Sequence, residues 1–301
     1  MSRRRIGFWY RLAAVLLKPP LVLFFKRDWR GMEHIPESGG FITVVNHNSA
    51  LDPLSYAHFQ YNTGRVPRFL AKVGLFRSGF VGAAMRGTGQ IPVFRESKDA
   101  IGAFRAAVEA INKGECVAFY PEGTLTRDPR MWPMKGKTGA ARVALETRVP
   151  VIPVAQWGAN LAVPPYPKRG DIKFFPRKTL IVQAGPPIDL SEFYGKEATA
   201  AVLREVTERI MDEITAQLAD IRGEAPPAER LDHRRAAASS GPERLPRQES
   251  DGRTHAQREE QPQDGNKNGR SEKSGRGDRT DRNGRSAQPD AAPPAAEGEN
   301  A

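Results

Sequence analysis

The hydrophobic positions of this chain follow two alternating spacings from residue 40 to residue 221. Short runs that are rich in β-branched and aromatic residues and bounded by turn residues are typical of strands. Such runs occupy 40–46, 67–72, 89–95, 115–123, 149–158, DIKFF at 171–175 and TLIVQAGPPI at 179–188. The spacing therefore predicts a sheet whose strands are mostly separated along the chain by other elements.

Several segments between these runs carry apolar residues at helical spacing. One predicted helix has Ser97 as its N-cap and stops at Gly114, and its apolar face is made of Ile101, Phe104, Val108 and Ile111. A second is predicted at 136–147, and a longer one at 196–221 repeats Val202, Val206, Ile210, Ile214 and Leu218 every four residues. Strands that alternate with helices predict an α/β fold with a mixed, largely parallel central sheet flanked by helices.

The N-terminal segment RRRIGFWYRLAAVLLKPPLVLFFKR combines apolar residues with regularly spaced cations. Arg4, Arg11 and Lys18 recur every seven residues on one helical stripe, set away from the apolar positions. Arg11, Lys18 and the pair Pro19-Pro20 interrupt the run before the ~20 apolar residues that a spanning helix needs, and no signal-peptide cleavage site follows. We therefore predict that 1–28 is an amphipathic membrane-associating helix; packing on the protein's own core and a full span are the alternatives.

Charge is distributed unevenly along the 301 residues, whose formal net charge is +11. Residues 1–223 contain 32 Lys and Arg against 20 Asp and Glu, whereas 224–301 contain 14 against 15. A basic folded region favours an anionic partner, namely a phosphate-bearing substrate, an acidic membrane surface or nucleic acid. The single cysteine, Cys116, cannot form an intramolecular disulfide, which fits a reducing compartment.

The segment 224–301 has the composition of a disordered polar tail. Pro, Gly, Ser, Arg and Glu dominate it, and no aromatic residue follows Tyr194. Its Arg/Gly stretch at 269–286 includes acidic residues and offers no ring for base stacking, so we expect no nucleic-acid binding. The predicted organisation is a membrane-associating segment at 1–28, a catalytic domain at 29–223 and a tail whose removal leaves activity intact.

Polar clusters follow three of the predicted strands, where ligands of parallel sheets bind. His47 follows the first strand, Arg95 the third and Glu122 the fourth. Asp52 lies five residues after His47, and a turn between them would let its carboxylate fix the imidazole tautomer and leave the other ring nitrogen to act as a base. A polar turn with a capping aspartate explains the same residues.

Two other chemistries fit this region less well. Ser49 is not presented by a G-x-S-x-G turn, which argues against a serine nucleophile. A metal site made of His47, Asp52 and Glu122 lacks a second histidine at ligand spacing, so we expect no metal.

Four motifs together resemble the glycerolipid acyltransferase family. NHNSALD (46–52) resembles its N-H-x-x-x-x-D motif, and GQIPVFR (89–95), YPEGT (120–124) and VPVIPVA (149–155) resemble its next three blocks, in family order. The resemblance implies that His47 is the general base and that Asp52 orients it, without an acyl-enzyme. It also implies that Arg95 holds the acceptor phosphate and that Glu122, Gly123 and Thr124 shape the acceptor site.

The chain departs from the family at one position. Family members commonly read E-G-T-R-S, whereas Leu125 and Thr126 follow Thr124 here and the next arginine is Arg127. Arg127 in a shifted loop, or Lys135 or Lys137, would then take over phosphate binding.

The family resemblance sets the expected function. We expect acyl transfer from acyl-CoA or acyl carrier protein to the sn-2 hydroxyl of 1-acylglycerol 3-phosphate, at the cytoplasmic face of the cell membrane and with no bound cofactor. The alternatives are glycerol 3-phosphate or another lysophospholipid as acceptor, a lipid hydrolase, and a non-enzymatic membrane adaptor.

Overall fold

The computed structural model describes residues 6–77, 79–93 and 100–232. Arg95, for which the family resemblance implies a phosphate contact, and Ser97, the predicted helix cap, lie outside the described residues, as does the predicted tail from residue 233.

The described helices and strands alternate along most of the chain. The helices are α1 (Phe8–Phe24), α2 (Asp52–Thr63), α3 (Gly79–Gly87), α4 (Ala100–Asn112), α5 (Gly139–Thr147) and α6 (Ala200–Arg222). The strands are β1 (Phe25–Arg30), β2 (Phe41–Val45), β3 (Pro67–Lys72), β4 (Ile91–Val93), β5 (Cys116–Phe119), β6 (Val151–Trp157) and β7 (Lys178–Ala184).

The strands form one sheet in the order β1-β7-β6-β2-β5-β3-β4. Only β6 and β7 pair antiparallel among the described strands; the other pairs are parallel. Every residue of the central strands β2 and β5 is buried, because helices cover both faces, and continuous apolar runs are typical of such strands. The predicted mixed, largely parallel sheet flanked by helices is confirmed.

Two hydrophobic layers enclose this sheet. On one face α4, α5 and α6 pack against β2 and β5, with Val206, Ile210 and Ile214 fully inside the layer. On the other face α2 contributes Tyr56 and Phe59, which pack against the first residue of β2. The carboxyl ends of β2 and β5 therefore emerge side by side between two packed layers, which holds the loops that follow them in place.

Helix α1 packs one face on the protein and exposes the other. Leu21 is buried, and the Tyr10 hydroxyl donates to the carbonyl oxygen of Pro67. Phe8, Val15, Leu16 and Leu23 form the opposite, apolar face and are between 52% and 70% exposed. In the described ranges 6–77, 79–93 and 100–232, no helix combines the length and apolar character that crossing a bilayer requires.

Helix α1 differs from the predicted N-terminal helix in two details. It continues through Pro19 and Pro20, since the backbone groups that these prolines leave unpaired lie on an exposed stretch. Lys18 donates to Asn62 Oδ1 at 3.3 Å and lies over the ring of Tyr61, so this cation of the stripe contacts the protein. Arg4 lies outside the described residues.

One strand prediction is wrong and two elements were not predicted. The segment 171–175 is an exposed loop, because no neighbouring strand pairs with it among the described residues. Residues 25–28 fall within the predicted N-terminal helix, but in the structure Phe25–Arg30 form strand β1, which pairs with β7. Helix α3, rich in Gly and Ala, was also missed. The local sequence patterns of β1 and α3 are weak, and both segments are ordered by contacts with other parts of the chain.

The residues that follow α6 contact the domain. Arg230 pairs with Glu208 and Asp212 of α6, and the carbonyl oxygen of Leu231 accepts a hydrogen bond from the backbone N–H of Lys135 at 3.0 Å. The first nine residues of the predicted tail, 224–232, are thus attached to the domain that precedes them.

This attachment predicts different results for two truncations. A chain that ends at 232 should keep the melting temperature of the full chain. A chain that ends at 223 loses the Arg230 pairs and the Lys135 hydrogen bond, and we expect a loss of about 1–2 kcal/mol and a fall of a few degrees. Thermal unfolding of both chains measures the difference; equal melting temperatures would contradict the structural role of 224–232.

Candidate active site

The candidate site lies where β2 and β5 end next to each other. The two strands are parallel, and Val44 lies opposite Phe119. His47 comes three residues after Val44, and Glu122 comes three residues after Phe119, so the shared register carries both residues to the same edge. The two loops are then joined by hydrogen bonds in both directions.

Asp52 organises the loop that carries His47. Its Oδ2 atom accepts hydrogen bonds from the backbone N–H groups of Asn48 at 2.5 Å and Ser49 at 2.7 Å, and lies 3.1 Å from His47 Nδ1. These bonds fold the loop back on itself, so that Asp52, the first residue of α2, reaches a histidine five positions earlier. The polar turn and the predicted His47–Asp52 contact are therefore the same structure.

The geometry sets the tautomer of His47. Asp52 Oδ2 meets only N–H donors, as a carboxylate oxygen does, so Nδ1 of His47 carries its proton toward it and Nε2 keeps a lone pair. Asp52 is almost completely buried, whereas 17% of the His47 side chain is exposed. Burial raises the pKa of Asp52, and the bonds from His47, Ser49 and Asn48 oppose that rise. The accessible group of the pair is therefore the imidazole.

Glu122 connects three segments behind the histidine. Its Oε1 accepts the backbone N–H of His47 at 2.9 Å and its Oε2 accepts that of Met134 at 3.0 Å. The side chain is buried, and Thr126 returns a bond from its N–H to the carbonyl oxygen of His47 at 2.8 Å. Glu122 thus shapes the site from behind, by fixing the backbone of His47 to the loop that follows β5.

Burial raises the pKa of Glu122 to about 8, against the opposing effect of its two backbone donors. The folded chain then holds a proton on Glu122 that the unfolded chain, with a pKa near its ordinary value, has lost. Between about pH 5 and pH 8 the folded state binds more protons, so this group makes the free energy of unfolding fall as the pH rises.

This effect predicts a pH-dependent difference between the wild type and Glu122→Gln. The amide does not titrate. From pH 5 to pH 8 the free energy of unfolding of the wild type, measured in urea, should therefore fall relative to that of Glu122→Gln. Glu205→Gln, which removes an exposed carboxylate on α6, is the matched control. Parallel pH curves for the wild type and Glu122→Gln would contradict the raised pKa.

Tyr120 forms one wall of the site. Its ring stacks on the His47 ring at 4.1 Å between centroids, with 24° between the planes. Tyr120 also stacks on Phe69, at 6.0 Å between centroids. These contacts hold the imidazole plane, so that its rotation is limited from the side as well as by Asp52.

Hydrogen bonds also join the loop that carries His47 to β6. Asn46 and Gln156 exchange three hydrogen bonds, of 2.7 to 3.0 Å, between side chains and backbone. Ser49, the candidate nucleophile, donates through Oγ to the carbonyl oxygen of Val163 at 2.7 Å and is fully buried. The structure therefore gives Ser49 a role in fixing the loop.

The loop from 123 to 137 carries the candidate phosphate ligands. Gly123 has a φ of +69°, and a Cβ there would lie 2.5 Å from Lys137 Nζ, so the Lys137 side chain covers this turn. Arg127 is exposed, and its guanidinium lies 6.0 Å from the ring centre of Tyr166. Lys135 is also exposed, and Thr124 is half-buried. Of these cations, Lys137 is the one the structure places against the Glu122–Gly123 turn.

Three contributors to the site were not anticipated. Tyr120, Thr126 and the backbone N–H of Met134 each contact His47 or Glu122. Tyr120 lies inside the YPEGT motif, whereas nothing in the local sequence pattern marks Thr126 or Met134. Over the part of the chain that the structure describes, no group of three or more His, Cys, Asp or Glu side chains is placed to hold a metal ion.

Comparison with known proteins agrees with the four motifs. Residues 26–157 match the family model described as Acyltransferase. The chain is 31% identical over 165 residues to a chloroplastic 1-acyl-sn-glycerol-3-phosphate acyltransferase of Brassica napus, covering 54% of this chain and 46% of that protein. It is 33% identical over 133 residues to the enzyme of the same name from Borreliella burgdorferi, covering 43% and 50%.

A solved structure supports the fold. The crystal structure of the 1-acyl-sn-glycerophosphate acyltransferase from Thermotoga maritima aligns with 75% of this chain and 81% of its own, with a TM-score of 0.50 and 22% identity. The chain spans about half the length of the curated relatives it matches. The predicted family resemblance is confirmed for the region 26–157.

Proposed function

We propose that this chain, whose residues 26–157 match the Acyltransferase family model, moves a fatty acyl group to the sn-2 hydroxyl of 1-acylglycerol 3-phosphate and forms phosphatidic acid. The donor is the thioester of acyl-CoA or acyl carrier protein, which serves as a co-substrate, and we propose no bound cofactor. The observation that carries the proposal is the buried carboxylate of Asp52 on Nδ1 of a partly exposed histidine.

The chemistry needs one base and close approach of two substrates. His47 Nε2 takes the proton from the acceptor hydroxyl while the hydroxyl oxygen attacks the thioester carbonyl carbon. The C–S bond then breaks, and the thiolate leaves with the proton that the imidazolium returns. The negative charge of Asp52 stabilises the imidazolium between the two transfers, and no acyl-enzyme forms.

The acceptor phosphate has cationic partners around the loop from 123 to 137. Lys137 lies over Gly123, while Arg127 and Lys135 are exposed on the same loop. We propose that these cations bind the phosphate together with Arg95, which follows β4, since charge-assisted bonds to phosphate are strong. Thr124 adds a hydroxyl beside the Glu122–Gly123 turn.

Membrane association brings the enzyme to its lipid substrate. The exposed apolar face of α1 and the basic excess of 1–223 fit peripheral binding to an anionic bilayer. We propose the cytoplasmic face of the cell membrane, where acyl thioesters and a reducing environment suit a chain with one cysteine, Cys116, which is buried.

The test is a panel of donors and acceptors on vesicles. The purified full chain is incubated with labelled acyl-CoA or acyl carrier protein and with 1-acylglycerol 3-phosphate, glycerol 3-phosphate or a neutral lysophospholipid. We expect labelled phosphatidic acid as the main product. Preferred transfer to glycerol 3-phosphate would change the acceptor, free fatty acid without an acceptor would indicate a hydrolase, and vesicle binding without any transfer would indicate an adaptor.

A further inference from the structure

Residues 161–177, here termed the aromatic loop, expose large apolar side chains beside α1. Ile172 is 49% exposed and Phe175 is 67% exposed, although both belong to a run with the composition of a buried strand. The Phe174 ring packs against that of Phe24 at a tilt of 42°, with 5.3 Å between centroids, and Phe175 contacts the same ring edge-on at 5.8 Å. The apolar surface of the loop is therefore continuous with the end of α1.

A polar contact also fixes the loop to α1. The guanidinium of Arg177 donates to the carbonyl oxygens of Val22 at 2.6 Å and Phe25 at 2.7 Å. A cation at the C-terminus of a helix is favourable because the unpaired carbonyl groups there carry partial negative charge. The loop and the helix end thus form one surface.

Cations flank the exposed apolar residues of this loop. Lys168, Arg169 and Lys173 are all exposed, and the loop's one acidic residue, Asp171, accepts the backbone N–H of Lys168 at 2.7 Å. Apolar side chains bordered by lysine and arginine are the pattern of a segment that enters the interface of an anionic bilayer. A buried protein interface, in contrast, is depleted of charged residues at its centre.

The same loop reaches the candidate active site. Val163 accepts the hydrogen bond from Ser49 Oγ in the histidine loop. The Tyr166 hydroxyl donates to the carbonyl oxygen of Leu125 at 3.0 Å, and Arg127 lies over the Tyr166 ring. A membrane contact made by this loop would therefore lie next to the segment that carries the candidate phosphate ligands.

We propose that the aromatic loop is a second membrane-binding element, which inserts Ile172 and Phe175 into the acyl boundary of an anionic bilayer while Lys168, Arg169 and Lys173 bind lipid phosphates. It deepens the proposed peripheral association, which otherwise rests on α1. With contacts at both the helix and the loop, the bilayer lies beside the 123–137 loop, and a lipid acceptor has a short path to the site.

The first test measures binding of the full chain to vesicles of phosphatidylglycerol and phosphatidylcholine without substrates. The double variant Ile172→Ser with Phe175→Ser should weaken the apparent Kd about tenfold or more, since two apolar side chains lose their burial in lipid. Ile101→Ser is the matched control, because Ile101 is 60% exposed on α4, which packs on the opposite face of the sheet from α2. Wild-type affinity of the double variant, or an equal loss in the control, overturns the proposal.

A second measurement reports insertion directly. Ile172→Cys can be labelled with an environment-sensitive dye, because the single natural cysteine, Cys116, is buried. We expect the emission to shift to shorter wavelength when anionic vesicles are added, and no shift for a label at Ile101→Cys. Equal responses, or no response at 172, overturn the proposal.

Two more variants test the loop's cations and the possibility that a second copy of the chain covers its apolar surface. Changing Lys168, Arg169 and Lys173 to Gln should weaken binding to anionic vesicles about 10- to 100-fold and leave binding to neutral vesicles unchanged. A dimer in sedimentation that Phe175→Ser dissociates would assign the surface to a second copy and overturn the proposal. His47→Ala should bind vesicles like the wild type, so failure of the proposed reaction is distinguishable from failure of this inference.

Discussion

Replacing His47 with alanine is expected to lower the rate of acyl transfer by about 10²- to 10⁴-fold, the usual contribution of a positioned general base. Nε2 is the candidate acceptor of the substrate proton, and alanine leaves only bulk base for that step. The loss should fall on kcat, because the candidate phosphate ligands are on other residues. Initial rates of phosphatidic acid formation at saturating acceptor measure it.

Folding of this variant should be nearly intact. The backbone of His47 keeps its bonds to Glu122 and Thr126, so the loop remains held. His34→Ala is the matched control, because His34 is half-buried in the short turn after β1. Within the residues that the structure describes, it makes no contact with Asp52 or Glu122. Full transfer by His47→Ala would refute the mechanism.

Replacing Asp52 with asparagine should lower kcat by about 10- to 10³-fold with little loss of stability. The asparagine oxygen can take the place of Oδ2 and still accept from Nδ1 of His47 and from the backbone N–H groups of Asn48 and Ser49. The negative charge that stabilises the imidazolium is lost. The variant therefore isolates the electrostatic part of the role of Asp52.

Asp52→Ala is the comparison that makes this result specific. Alanine leaves two buried backbone N–H groups without their acceptor, which costs about 1–3 kcal/mol each, so the melting temperature should fall as well as the rate. Asp52→Asn with a wild-type rate would show that the charge is unimportant. Equal loss of stability in both variants would show that the oxygen does not hold the loop.

The contact between His47 and Asp52 could be predicted because its geometry is local. His47 and Asp52 are five residues apart, and the residues between them favour a turn, so their contact needs little information from elsewhere in the chain. Their competing interpretation as a capped turn was equally local. The structure shows that the turn brings the carboxylate to the imidazole, and the bonds from Asn48 and Ser49 are what hold it there.

Glu122 illustrates a role that could be predicted only in part. Its place after a strand pointed to the site edge, and the resemblance assigned it to the acceptor site. Its actual partners are backbone N–H groups 75 and 12 residues away. Backbone groups are the same in every residue, so no sequence pattern could identify those two.

The sequence by itself determined the alternation of strands and helices, the four motifs and the basic surface, because hydrophobic spacing and charge are properties of short segments. Only the tertiary structure decided that 171–175 is an exposed loop and that β1 joins the sheet beside β7. Both segments contain apolar residues suited to a strand. A strand forms only where a neighbouring edge supplies hydrogen-bond partners, and that edge comes from a distant part of the chain.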